Sequence, residues 1–396
     1  MSSDTILVLN AGSSSLKFSL YREEEETLAP VYRGQIAGIG QSPVFSAKDA
    51  SGKPVGEDLL SGSEDSHQAI LDRLLDWLSG KLKGGMPRAA GHRVVHGGPQ
   101  HDRPLRLSRD ALEELHRLTP LAPLHQPHNL APIQALWRLQ PELPQVACFD
   151  TAFHRSQPEI AQRFALPREL TAEGVRRYGF HGLSYEYIAG VLPDFLEDRD
   201  RKRVIVAHLG HGASMCAMLD GRSVATTMGF TALDGLPMAQ RSGNIDPGVV
   251  LYLMQQKKMS ADEVSDLLYH RCGLQGVSGG ISSDMAELLD SKAPEAEEAV
   301  ALFCYRAGRE IGSLAAALGG LDALVFTAGI GENAPEVRRR IAKQAEWLGV
   351  QIDPQANDTG GTDISAINSR VHVMVIPTDE EIVIAEQTQA LCEPAV

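Results

Sequence analysis

Short apolar runs alternate along this chain with longer amphipathic stretches, the pattern of a protein built from layered strands and helices. The short runs predict strands at Thr5–Asn10, Leu16–Tyr21, His92–Val95, Val146–Phe149, Val204–His208, Ser214–Leu219, Leu324–Thr327 and Val371–Ile376. The pair Asp220–Gly221 predicts a hairpin turn into a further strand at Ser223–Thr227. Helical spacing is clearest over Ser66–Leu82, where Ile70, Leu71, Leu74, Leu75 and Leu78 form one apolar stripe. Helices are also predicted at Ser108–Leu118, Pro294–Leu318, Pro335–Leu348 and Glu380–Leu391. The stretch Pro294–Leu318 opens on proline and is followed by Gly319–Gly320, the expected asymmetry of a helix. Loops are predicted at Lys83–Arg88 and Pro354–Thr362, and a solvated turn at Glu23–Glu26. The fold class is therefore α/β, with a domain boundary placed near Asp150. Residues 1–150 and 151–379 form the two parts, and the last segment, 380–396, is a candidate to complete the first.

One arrangement occurs twice, half a chain length apart. ILVLN runs into the turn AGSSS and then LKFSL; VIVAH runs into LGHGAS and then MCAML. Each copy reads as strand, tight polar loop, strand. Glycine lets backbone approach a ligand closely, and successive N–H groups with hydroxyls make an anion-binding concavity. Two such turns suggest a duplicated protein that holds a polyphosphate. A third glycine stretch, Gly329-Ile330-Gly331-Glu332-Asn333-Ala334, follows the strand LDALVFTA and precedes a helix. It fits the GxGxxA form of a dinucleotide fingerprint, with Asp353 about 20 residues on. That reading leaves the two serine–glycine turns unexplained, whereas a nucleoside triphosphate uses all three. No GxxxxGK[ST] occurs, so the chain is not a P-loop protein.

Composition narrows the partners. A net charge of −14 argues against a nucleic-acid or anionic-membrane surface. A phosphate site would then need particular Arg and Lys residues. No apolar run reaches the ~18 residues of a membrane span, and no basic segment precedes the short N-terminal apolar stretch. A cytoplasmic location is expected. The five cysteines, Cys148, Cys216, Cys272, Cys304 and Cys392, form no CxxC pair and read as buried thiols of a reducing compartment. Histidine pairs such as His92/His96, His125/His128 and His208/His211 lack carboxylate or cysteine partners at zinc-ligand spacing.

Four residues carry candidate chemistry. Arg93, in GHRVVHGG, is costly among apolar neighbours unless paired. It reads as a buried ion pair or as a fork for a carboxylate or phosphate. Asp150 ends the strand VACFD, where α/β sheets place ligand groups, or it caps a helix. His181 lies in RRYGFHG beside Arg176 and Arg177, and a packed histidine is the alternative reading. Arg241 sits in the loop PMAQRSGNIDP, as a functional cation or a solvated one.

Taken together, these segments resemble the acetate kinase family, within the acetate and sugar kinase/heat-shock protein 70/actin superfamily. LVLNAGSSSLK and HLGHGASMCAMLDG resemble its two signatures. GHRVVHGG, LAPLH, FDTAFH, RRYGFHG, MGFTALDGL, RSGNIDP, ISSDM, FTAGIGEN and IPTDEE follow in family order, from Leu7 to about Thr388. The resemblance implies a duplicated two-domain, actin-like (ribonuclease H-like) fold with a central nucleotide cleft, in a homodimer. It implies reversible transfer from ATP to acetate, giving acetyl phosphate and ADP, with Mg²⁺ (Mn²⁺ as the alternative ion). Carried over by position, Asp150, His181 and Arg241 would be catalytic, and Arg93 and His125 would bind substrate. Asn10 and Glu380 would organise the metal. Lys17, Ser13 and Ser15, the segment His208, Leu209, Gly210, His211 and Gly212, the segment Asp284, Met285 and Ala286, and Gly329, Ile330, Gly331, Glu332 and Asn333 would contact ATP. Acetate is already an anion, so Asp150 fits an organiser of the metal or its waters better than a strict base. The chain departs from the family at His211 (usually Asn), at Ala286 (usually Arg), at Gly182–Tyr185 (usually GTSH), and at Gln126 and His128. A guanidinium able to stack on the base is thus missing at Ala286, which predicts looser nucleotide choice. A propionate-preferring kinase and an actin-like ATPase are the competing readings.

Overall fold

The computed structural model describes residues 2–12, 15–24, 27–39, 42–56, 67–82, 85–123 and 125–392. The chain groups into two compact units, Met1–Phe153 with Asp379–Val396 and His154–Thr378.

The first unit is a mixed sheet of β1 (Ser2–Ala11), β2 (Ser15–Glu24), β3 (Thr27–Ala37), β4 (Val44–Asp49), β5 (Pro54–Val55), β6 (Met86–Val94), β7 (Leu105–Arg106) and β8 (Gln145–Phe149). Their spatial order is β5-β4-β3-β2-β1-β6-β8-β7. β1 pairs antiparallel with β2 and parallel with β6, which pairs parallel with β8. Alternation along the strands decides the two faces. Leu7 and Leu9 of β1 and Leu16, Phe18 and Leu20 of β2 bury against the stripe Ile70, Leu71, Leu74 and Leu78 of helix His67–Lys81. Val94 and Phe149 bury with Leu115, Leu130 and Ile133 of helices Arg109–Arg117 and Gln126–Leu139. Helix Glu380–Cys392 packs on β1, β6 and β8, on the other face. Gly91 permits this approach, because a Cβ there would sit 2.6 Å from Ile384 Cγ2 and against Thr388 Oγ1.

The second unit holds β9 (Arg203–Leu209), β10 (Ala213–Leu219), β11 (Arg222–Thr226), β12 (Ala323–Thr327) and β13 (His372–Val375), in the order β11-β10-β9-β12-β13. β9 pairs antiparallel with β10 and parallel with β12, which pairs parallel with β13. This repeats β3-β2-β1-β6-β8 strand for strand and sense for sense, so the two turns noticed in the sequence are equivalent hairpins of a duplicated fold. Helix Pro294–Leu318 covers this sheet with the buried stripe Ala296, Val300, Phe303, Ala307, Ile311 and Leu314, and stops at Gly319 in the left-handed conformation, φ 68°.

Several expectations need correction. Helix Gln126–Leu139 went unpredicted because it contains Pro127 and Pro132. Strand β3 was hidden by Pro30 and Gly34, and Gly34 is required because a Cβ would meet the Phe18 ring and Ser46 O, each at 2.6 Å. Helix Pro335–Gln344 ends earlier than predicted and continues only as the single turn Glu346–Leu348. The predicted loop at Pro354–Thr362 contains the short helix Pro354–Asp358. Glu23 and Glu24, expected in a turn, extend β2, while Glu25 and Glu26 lie outside the described residues. Cys148, Cys216 and Cys304 are buried thiols; Cys272 and Cys392 are half-buried. Among the described residues, no helix is long and apolar enough to cross a membrane.

Candidate active site

In the first unit, parallel strands β1, β6 and β8 deliver polar side chains at their carboxyl ends. Asn10, Arg93 and Asp150 come from these three ends, and Glu380 from the first residue of the helix that packs over them. Arg93 donates from Nε to Asp150 Oδ1 at 3.1 Å and from Nη2 to Asp150 Oδ2 at 2.6 Å. Its Nη1 donates to Asn10 Oδ1 at 3.3 Å, and Glu380 Oε2 lies 3.7 Å from Nε. Asp150 is 1% exposed, and this bidentate partner satisfies both of its carboxylate oxygens. Asp150 is no helix cap. Burial pushes the Glu380 carboxyl up to about 7, with Arg93 opposing the rise and Asp150 adding to it. Lys17 stands opposite Asn10 in the β1–β2 register, exposed on the same face. Ser15 closes the β1–β2 turn by accepting from Gly12 N at 2.8 Å through its carbonyl, and Ser13 lies outside the described residues.

The ends of these strands are braced by Asn129, which the sequence did not single out, and by Gln126, which it marked only as a departure from the family pattern. Asn129 donates to Ala11 O at 2.5 Å and accepts from Val95 N at 2.9 Å. Gln126 exchanges hydrogen bonds with the backbone of His96, accepting at 3.3 Å and donating at 3.1 Å. Both residues follow the half-buried His125, which opens helix Gln126–Leu139. The sequence gives no signal of these contacts, because Pro127 and Pro132 mask the helix that carries both amides.

In the second unit, His181 precedes helix Gly182–Val191 in the left-handed conformation, φ 58°, a backbone strain of order 1 kcal/mol or more. Its ring stacks on His208 of β9, centroids 4.2 Å apart at 18°. His181 Nδ1 lies 2.8 Å from Ser214 Oγ, and His208 Nδ1 lies 2.8 Å from Ser184 Oγ. Gly212, in the β9–β10 turn, brings His181 and Arg241 to one place. A Cβ on Gly212 would lie 3.2 Å from His181 Nε2 and 4.0 Å from Arg241 Nη1. Arg241 is held by Nη1 donation to Ala232 O at 3.2 Å.

Beside this pair is a cavity of about 290 Å³, lined by Gly210, His211, Asp284, Met285, Ala286, Gly329, Ile330 and Asn333, among others. Burial and the neighbouring Arg241 hold the His211 imidazole below its usual range, with Asp284 opposing. Asp284 caps its own helix, accepting from Ala286 N at 2.8 Å and Glu287 N at 3.2 Å. Leu209 is fully buried in β9. The third glycine stretch is not an open loop. It forms the short helix Ala328–Asn333, reached through Ala328 at φ 64°. The carbonyls of Gly331 and Glu332 accept from the buried Arg338 at 2.9 Å each. Asp353, which the dinucleotide fingerprint would place on a ribose, instead caps helix Pro354–Asp358. Among the described residues no group of three or more metal-ligating His, Cys, Asp or Glu side chains occurs.

A duplicated α/β fold with charged groups at strand ends in one unit, and a glycine-lined cavity beside a histidine–arginine pair in the other, defines a kinase of the actin-like architecture. The family model described as the acetokinase family matches residues 5–386, and the chain belongs to that family. It is 54% identical over 396 residues to the acetate kinase of Rhodopseudomonas palustris (strain ATCC BAA-98 / CGA009), covering 99% of each chain. It is 50% identical over 393 residues to that of Rhizobium meliloti, covering 98% of each. Among solved structures, a propionate kinase from Francisella tularensis subsp. tularensis SCHU S4 matches with a TM-score of 0.90 at 37% identity, covering 98% of this chain and 100% of that one. Porphyromonas gingivalis acetate kinase matches with a TM-score of 0.87 at 35% identity, covering 99% and 100%.

Proposed function

We propose that the chain catalyses reversible, direct in-line transfer of the γ-phosphoryl group of ATP to acetate, giving acetyl phosphate and ADP. The observation that carries this reading is the Arg93 cluster at the strand ends. A guanidinium offers five N–H donors; Asp150 and Asn10 take three, leaving two not engaged by described residues. Two donors from one guanidinium match a small carboxylate. Asp150 then holds Arg93 in the orientation that presents this edge, and His125 borders the acetate. Phosphoryl transfer needs alignment and neutralisation of charge on the transferring oxygens more than it needs a base. His181 and Arg241, side by side at Gly212, supply the donors for those oxygens. Lys17 and the β1–β2 turn with Ser13 and Ser15 contact the triphosphate. The β9–β10 turn and the cavity lined by Asp284–Ala286 and Gly329–Asn333 take the rest of the nucleotide.

Oxygen donors at Asn10 and Glu380 fit a hard divalent cation, and Glu380 faces the charges of Asp150 and Glu381 as well as that of Arg93. So few protein ligands suit Mg²⁺, which keeps waters and phosphate oxygens in its shell. When bound, the ion would neutralise phosphate charge. We place the enzyme in the cytoplasm as a homodimer. Helix Pro247–Gln255 (PGVVLYLMQ) buries none of its residues and leaves Leu251 54% and Tyr252 50% exposed, which suits a two-fold contact between copies; sedimentation equilibrium reads this directly.

A propionate preference is the second reading, favoured by the propionate kinase among the structural neighbours. One methylene supplies only ~1–3 kcal/mol of discrimination. Trapping the acyl phosphate with hydroxylamine, with acetate, propionate and butyrate in parallel, separates these readings. Acetohydroxamate formed at the highest kcat/KM is expected. Propionohydroxamate in excess would move the assignment to propionate, and no hydroxamate from any acid would sink the kinase reading.

A further inference from the structure

Tyr185 lies in the first turn of helix Gly182–Val191, four residues after His181, whose carbonyl accepts from Tyr185 N at 3.1 Å. It is completely buried, and its Oη lies 2.5 Å from Ser214 Oγ. Ser214, equally buried on β10, lies 2.8 Å from His181 Nδ1. Three side chains therefore form one chain of hydrogen bonds that reaches the imidazole beside Arg241. Tyr185 also stands where the sequence leaves its family's usual GTSH pattern.

We infer that Tyr185 is a positioning residue for His181: its phenol donates to Ser214 Oγ, the Ser214 hydroxyl donates to His181 Nδ1, and His181 is held as the neutral tautomer with its hydrogen on Nε2. This deepens the reading of His181 given above and rests on it. Ser214 has a single hydrogen, so it cannot donate to both neighbours, and at least one of them donates to it. A phenol O–H is the more acidic of the two donors and a poor acceptor, so the tyrosine gives and the serine passes the polarity on. Burial keeps the phenol protonated, lifting its titration well above the ordinary tyrosine range. The opposite direction would put the hydrogen on Nδ1 and the lone pair on Nε2, the nitrogen nearest Gly212. A lone pair there would repel phosphoryl oxygens, whereas an Nε2–H would join Arg241 in donating to them. Stacking on His208 fixes the ring plane, and the serine fixes which edge carries the hydrogen.

The test reads tautomer and turnover separately. ¹⁵N-edited NMR of histidine side chains in the full-length enzyme is expected to show His181 protonated at Nε2 only. Tyr185→Phe removes one oxygen and keeps the shape; it should give a mixed tautomer and lower kcat about tenfold, the effect of losing one hydrogen bond, with KM for acetate and ATP unchanged. Ser214→Ala should show the same spectral change with a larger loss of kcat. His181 protonated on Nδ1 in the wild type would overturn the inference, as would a Tyr185→Phe enzyme with unaltered tautomer and kcat. Full kcat in His181→Ala would overturn the transfer role on which the inference rests, whereas the spectrum tests the hydrogen-bond chain apart from it.

Discussion

Arg93 does two jobs with one guanidinium, and the geometry says what a lysine would lose. Its Nε and Nη2 clamp Asp150 while Nη1 reaches Asn10. A lysine ammonium is a point charge that cannot clamp a buried carboxylate and present a second fork together. Arg93→Lys is therefore expected to raise the KM for acetate by about tenfold or more, the scale of one charge-assisted hydrogen bond, with the KM for ATP nearly unchanged. Steady-state kinetics with each substrate varied checks this, and an unchanged acetate KM would remove Arg93 from substrate binding. Arg93 and Asp150 were legible because a charge inside an apolar strand must be explained. Ser214, Tyr185 and Asn129 were not. A hydroxyl or amide among apolar neighbours carries no mark of its partner, and the contact of Asn129 with Ala11 spans 118 positions.

At the scale of elements, the contact between β6 and helix Glu380–Cys392 decides where Glu380 stands. Gly91 lets the helix lie on the strand, because any Cβ would meet Ile384 and Thr388. Gly91→Ala should cost about 1–3 kcal/mol by overpacking, a fall of roughly 2–10 °C in Tm for a unit of this size. It should lower activity as well, since Glu380 opens the displaced helix. Calorimetry tests this: the double variant Gly91→Ala/Thr388→Ala should recover part of the loss, and an unchanged Tm in the single variant would refute the packing argument. The strands of the sheet centres and the long helices were readable because burial on one or both faces imposes a period. Pro132 and the positive-φ residues His181 and Ala328 mark what was not readable. There tertiary contacts hold local conformations that propensity argues against.

For the whole molecule, the repeat at half the chain length announced the duplication, but only the shared strand order shows that it extends to five strands. Among the described residues, the buried His92, His96 and His154 also make stability depend on pH in a direction that can be worked out. Burial pushes His92, His96 and His154 down to about 4 from an ordinary value of 6.5. Above pH 6.5 each is neutral whether folded or unfolded, so none contributes. Below it the unfolded chain takes up a proton that the folded chain refuses. Each histidine therefore removes about 1.4 kcal/mol of stability per pH unit on the way from 6.5 to 4. His92 and His96 lie in the first unit, which also holds Trp77 and Trp137, whereas Trp347 of the second unit is exposed. Tryptophan fluorescence during urea unfolding thus reports chiefly on the unit that contains both histidines. His92 donates from Nε2 to Gln145 Oε1 at 2.7 Å, while the amide nitrogen of Gln145 donates to Ile133 O at 3.3 Å. A glutamine at 92 can donate to the same oxygen without titrating. Wild-type stability in this unit is expected to fall steeply between pH 6.5 and 4 and to stay level above 7. His92→Gln should flatten the acid limb by about one proton's worth, or 1.4 kcal/mol per pH unit. Parallel acid limbs in the two proteins would show that carboxylate protonation, and not the buried histidine, sets the pH dependence.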